Sequence, residues 1–209
     1  MPPRQATRLK QTKRQEFPFF LPFDKLDLRQ RPDLYRIAKG EQGVLSVEPY
    51  KSEILPLWKF KNPQVATESS RAIKQKFEEY KRQQDFVGCD MARKFMQMGY
   101  TRARRYANHK GGKKYNVDAT TGSKTLIPRL DLADQDPDKA EAARIFAQQL
   151  EILNNDEEYH KLRDKHVETY ESKELDLEGI DVLDGVPRKR GGEAKGELGK
   201  RKRSRKTAE

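Results

Sequence analysis

Apolar residues return every three or four positions over much of the chain. After Asn62-Pro63, residues Ala66, Ser69, Ala72 or Ile73, Phe77 and Tyr80 share one helical face, so the spacing predicts an amphipathic helix over 63–83. Asn62 can cap it, and Pro63 fits the first turn because its missing N–H is unused there. Phe86, Cys89 or Asp90, Ala92, Phe95, Met96 and Met98 predict a second helix over 86–98, with Gly99 placed to end it in a left-handed turn. Thr101 then caps a short third helix, 102–109, with Ala103, Tyr106 and Ala107 inward and Arg102, Arg104 and Arg105 outward. Asp136-Pro137 opens another helix, carrying Ala140, Ala143, Ile145, Phe146, Gln149 and Ile152 or Leu153, and Asn154-Asn155 breaks it. Tyr159, Leu162, Val167 and Tyr170 mark a last helix over 156–171.

Other segments lack this period. The run from Phe17 to Phe23 is apolar but broken by Pro18 and Pro22, which predicts an extended strap lying on a core. Residues 33–48 hold two glycines around a polar pair and read as a small hairpin or turn. Residues 110–130 are rich in Gly and Thr and read as a loop or irregular segment. The expected fold class is mainly α, with a small hairpin or extended segment. A single compact helical domain, 17–174, is flanked by a disordered basic arm, 1–16, and a disordered acidic-then-basic tail, 175–209.

Composition supports tails. Of 209 residues, 37% are charged and 34% hydrophobic, too polar for a chain packed from end to end. No apolar run approaches the roughly 18 residues a membrane helix needs, and the N-terminus lacks the apolar centre of a secretory signal. Cys89 is alone and forms no internal disulfide, so a soluble, intracellular chain is expected, with no membrane partner. The formal net charge is +11, of which residues 1–16 contribute +4 and residues 188–209 contribute +7. The intervening chain sums to zero but is itself divided. Residues 88–115 carry eight bases against Asp90, and residues 131–187 carry seventeen acids against six bases.

The central basic block interleaves cations with Phe95, Tyr100, Tyr106 and Tyr115. Arg93, Lys94, Arg102, Arg104, Arg105, His109, Lys110, Lys113 and Lys114 are the candidate nucleic-acid contacts, because phosphates are bound by cations and backbone N–H groups. A helix ending at Gly99 before an Arg-bearing helix has the outline of a helix-turn-helix. The competing reading pairs these cations with the chain's own acidic half. Near the C-terminus, Arg188, Lys189 and Arg190 form one cluster and Lys200, Arg201, Lys202 and Arg203 a second, extended by Arg205 and Lys206. Such runs suit a nuclear import receptor or a phosphate backbone; the alternative is a solubilising tail.

Catalytic patterns are thin. KGGKK is no phosphate-binding loop, since position 107 is Ala where Gly is required, and residues 134–145 fail the EF-hand template. His160 and His166 are not spaced to share a metal, so no metal and no cofactor are expected. Cys89 reads as core. Trp58, between Lys59 and Lys61, could stack a base, though a core role is the commoner one. Asp90, Glu41, Glu48 and Glu53 could hold Mg²⁺ for phosphodiester chemistry, but salt bridges to nearby Arg or Lys are the favoured reading.

The blocks GEQGVL (40–45), PYKSEILPLWKFK (49–61) and DFVGCDMARKFMQMGYTRARRYANHKGGKKY (85–115) resemble an uncharacterised domain-of-unknown-function family, number 4385, found in bacteria, tailed phages and fungi. The resemblance covers residues 23–170. It implies a single compact domain with tails, and no activity or residue roles. The functional expectation is a non-enzymatic, nucleic-acid-associated nuclear protein that binds DNA or RNA backbone, with an import receptor as partner and the cytoplasm as a second location. The alternatives are an enzyme acting on a phosphate-bearing substrate through His109, Asp90 and the lysines, and a protein-interaction module.

Overall fold

The computed structural model describes residues 17–183. Five α-helices form in order: α1 (Tyr50–Ile54), α2 (Pro63–Arg82), α3 (Phe86–Asn108), α4 (Pro137–Asn154) and α5 (Glu157–His166). The caps expected at Asn62 and Asp136 are made, whereas Thr101 lies inside α3 and caps nothing. The Asn62 side chain accepts from Val65 N at 2.9 Å and that of Asp136 from Lys139 N at 3.1 Å. Asp85 and Asp156 start α3 and α5 in the same way, accepting from Gly88 N at 2.9 Å and Tyr159 N at 2.8 Å. Each satisfies an N–H that a helix start would otherwise strand.

Three long helices build the core. A tight turn at Gln83–Asp85 reverses α2 into α3, and α4 runs back along α3, with Leu130 N donating to Asn108 O at one end and Phe146 packed at Gly99 in the middle. Phe77, Tyr80, Cys89, Ala92, Phe95, Met96, Ala103, Ala142 and Phe146 are buried between them. Phe17, Leu21 and Phe23 are buried too, so the Pro-broken segment is the strap its pattern predicts.

Several expectations are corrected. Gly99 does not end a helix: α3 runs unbroken through it, and a Cβ there would come within 2.7 Å of Phe146 Cγ. Glycine is present because the α4 ring needs the space. The helix-turn-helix outline therefore fails, and Tyr106, placed inward by that scheme, is 41% exposed. Residues 33–48 form the turn that is one of the two forms expected for them, with no strand among them. The hairpin lies instead within 110–130, where β1 (Tyr115–Val117) pairs antiparallel with β2 (Lys124–Leu126), Tyr115 opposite Leu126. Finally, the folded body does not stop at 174. Leu175, Leu177 and Ile180 pack against the core, and Leu183 N donates to Phe20 O at 2.8 Å.

Candidate nucleic-acid interface

The nine candidate contact residues divide into two groups along α3. Arg93 and Lys94 belong to a buried hub. Asp90, with no exposed surface, receives Arg93 Nη2 at 2.8 Å, Tyr159 OH at 2.8 Å and the Tyr35 hydroxyl, and Lys94 Nζ lies 3.5 Å away. Lys94 is equally buried, donates to Gln42 O at 3.0 Å, and stands over the Tyr35 ring at 5.2 Å. Burial pushes the Asp90 carboxyl up, but Lys94, Arg93 and the hydroxyl donors prevail and hold it well below the usual carboxylate range. Burial lowers the Lys94 ammonium despite Asp90. The expectation that these two cations face a polyanion is thus corrected: they neutralise a carboxylate three and four residues earlier on their own helix. The salt-bridge reading holds for Asp90. It holds also for Glu53, bound to Arg29 at 2.9 Å, and for Glu48, paired with Lys51 at 2.6 Å, while Glu41 accepts from Thr101 Oγ1.

The second group gathers where α3 ends. Arg102, Arg105, Tyr106 and His109 stand at i, i+3, i+4 and i+7 and share one face. Arg105 and Tyr106 are exposed and Arg102 partly so; Arg104 falls off this face. His109 is only 5% exposed and therefore lies beneath the surface rather than on it, a further correction. Lys110–Gly112 then make one 3-10 turn, with Gly111 and Gly112 at φ 61° and 68°. Arg105 Nε donates to Gly112 O and Tyr106 lies against the same glycine, where a Cβ would approach its ring to 2.7 Å. Only glycine accommodates both the dihedral and the ring. Lys110, Lys113 and Lys114 are exposed beyond it.

Neighbouring elements complete this pole of the bundle. Lys139 Nζ donates to Phe60 O at 3.1 Å and also to Lys61 O, which brings the starts of α2 and α4 beside the end of α3. Two helix dipoles thus turn their positive ends to the pole. Trp58, Phe60 and Tyr106 form an aromatic ladder, with ring centroids 5.1 and 5.6 Å apart. The hairpin adds Lys124 and exposed Tyr115, with Lys114 Nζ 5.4 Å from the Tyr115 centroid. Among the described residues, Arg102, Arg104, Arg105, Lys110, Lys113, Lys114 and Lys124 make no ion pair with a carboxylate, although carboxylates elsewhere in the body are paired repeatedly. The buried side-chain atoms without a hydrogen-bond partner among the described residues are Trp58 Nε1, Asn108 Oδ1 and His109 Nδ1, each on an element of this pole.

The proposed catalytic gathering of His109 with Asp90 does not form. The two lie at opposite ends of a continuous helix, ~28 Å apart at 1.5 Å per residue. Among the described residues, no group of three or more His, Cys, Asp or Glu side chains could hold a metal ion, and no helix is long and apolar enough to cross a membrane. Cys89 is buried. The clusters at 188–190 and 200–206 lie outside the described residues. Sequence reasoning counted Tyr115 in the basic block but missed the strand pairing that sets Lys124 opposite Val117; the alternation of Tyr115 and Val117 was its available signal.

No curated protein and no solved structure matches this chain. A family model does, over residues 18–169, which takes in the bundle, the pole and the hairpin: the chain belongs to the family described as Domain of unknown function (DUF4385).

Proposed function

We propose that the pole formed by the end of α3, the Lys110–Gly112 turn and the hairpin binds nucleic acid through its phosphate backbone, without catalysis. The observation that carries this reading is the contrast along α3. The cations of its first half are matched by Asp90, and those of its last turns form no ion pair among the described residues. Holding like charges together costs energy that a polyanion recovers. The basic flanks add sequence-independent affinity, and the clusters from Arg188 to Lys206 serve as a nuclear import signal read by an import receptor.

The test uses the full chain and a labelled oligonucleotide of about 16 nucleotides, near the upper footprint of one small domain. Replacing Arg105, Lys110, Lys113 and Lys114 together by Ala is expected to flatten the plot of log Kd against log salt by about 3, at roughly 0.7–0.9 per phosphate released. An unchanged slope, with the fold intact by circular dichroism, assigns any binding to the flanks and overturns the proposal.

A further inference from the structure

Resting on that reading, we infer that the polymer taken at this pole is single-stranded nucleic acid, whose bases stack on Tyr106 and Tyr115 while the cations between and beside them hold its phosphates. Both rings are open, at 41% and 46% exposure, whereas Tyr35, Tyr50, Tyr80 and Tyr159 are buried. The two lie close together. Tyr106 rests on Gly112, and Tyr115 follows three residues later, at most about 11 Å along the chain.

The cations fall where such a strand needs them. Lys113 and Lys114 occupy the interval, Arg105 and Arg102 flank Tyr106 on its own helical face, and the Lys114 ammonium lies beside the Tyr115 ring. Tyr106 is held ready by Gly112 on one side and by Phe60 on another, so little ordering is left for the moment of binding. Tyr115, Val117 and Leu126 project from one face of the hairpin, all exposed, and a two-stranded ribbon gains little stability alone. The flat apolar faces of unpaired bases would cover that face; in a duplex those faces are hidden in the stack. The last turn of α3 has no free end to enter a groove. The Lys110–Gly112 turn closes it, and Asn108 O is taken by Leu130 N at 2.9 Å.

The experiment compares three probes of equal length, about 16 nucleotides, on the full chain: oligothymidylate, the same strand made abasic, and a mixed-sequence duplex. Oligothymidylate is expected to bind at least about tenfold tighter than the abasic strand, as one base–aromatic stack provides. Tyr115→Ala, on the exposed hairpin, and Tyr106→Ala each remove about half of that gap on a logarithmic scale and leave abasic affinity unchanged; Tyr115→Phe keeps it. Equal binding of the abasic strand, or a duplex held as tightly as oligothymidylate, overturns the single-strand inference and leaves the backbone reading standing. Failure of all three probes to bind at low salt removes both.

Discussion

Gly99 offers the sharpest test of the α3–α4 contact. In an exposed helix interior, Gly→Ala gains up to about 1 kcal/mol from backbone entropy. Here the new methyl group meets the Phe146 ring at its root, within 2.7 Å of Cγ, and a ring anchored there cannot swing aside as a flexible chain end would. Overpacking of this kind costs ~1–3 kcal/mol, so Gly99→Ala is expected to be destabilised by about 1–2 kcal/mol net. Phe146→Ala, which removes the clashing Cγ, costs ~3–5 kcal/mol alone, from the cavity it leaves. The double variant removes the collision and keeps the helical gain, giving a favourable coupling of at least about 1 kcal/mol. Urea unfolding followed by far-ultraviolet circular dichroism reads all four corners of the cycle, and each kcal/mol also moves Tm by about 2–4 °C for a body of this size. Strictly additive costs would refute the reasoning. They are what a left-handed helix-ending glycine would give, because its penalty for a side chain is backbone strain and is blind to Phe146.

Three further outcomes are expected. Asp90→Asn, which strands Arg93 and Lys94 without their anion, should cost ~3–5 kcal/mol in denaturant unfolding, and Asp90→Asn with Lys94→Met should recover part of it. His166 is buried against Tyr35 O and the Phe86 and Tyr170 rings, and desolvation pulls its imidazole from 6.5 down to about 4. The unfolded chain therefore binds the extra proton first. The His166 contribution is whole above pH 6.5 and falls by about 3 kcal/mol as pH drops toward 4, so His166→Gln should flatten the curve between pH 6.5 and 5, above the range where the carboxylates titrate, in a pH series of unfolding curves. Ending the chain at residue 174 instead of 183 should lower Tm by several degrees, ~1–3 kcal/mol for the lost burial of Leu175, Leu177 and Ile180; equal melting of the two lengths would return the boundary to 174.

Much of this architecture is written locally. Asn62-Pro63 and Asp136-Pro137 begin helices because a cap and a proline act within one turn, and no distant residue is needed to read them. Gly99 misleads for the opposite reason. Its meaning is set by Phe146, far along the chain, and a helix-ending glycine and a space-making glycine look alike in one dimension. The same holds for Arg93 and Lys94. Their spacing from Asp90 is visible, but that Tyr35 and Tyr159 seal the carboxylate from water is a fact of packing. The unpaired cations near His109 were legible as a cluster with Tyr106 and Tyr115; the packing of Tyr106 on Phe60, beside Trp58, was not, because it requires distant chain segments to meet.

The hydrogen bond from Leu183 N to Phe20 O has a consequence for local opening. It ties the first and last stretches of the body together, near where the Phe17 ring lies 6.0 Å from Lys94 Nζ, well away from the turn after α3. The two ends of the described body are therefore held at one spot. Loss of either end therefore removes a partner of the other, so the two are expected to open as one unit.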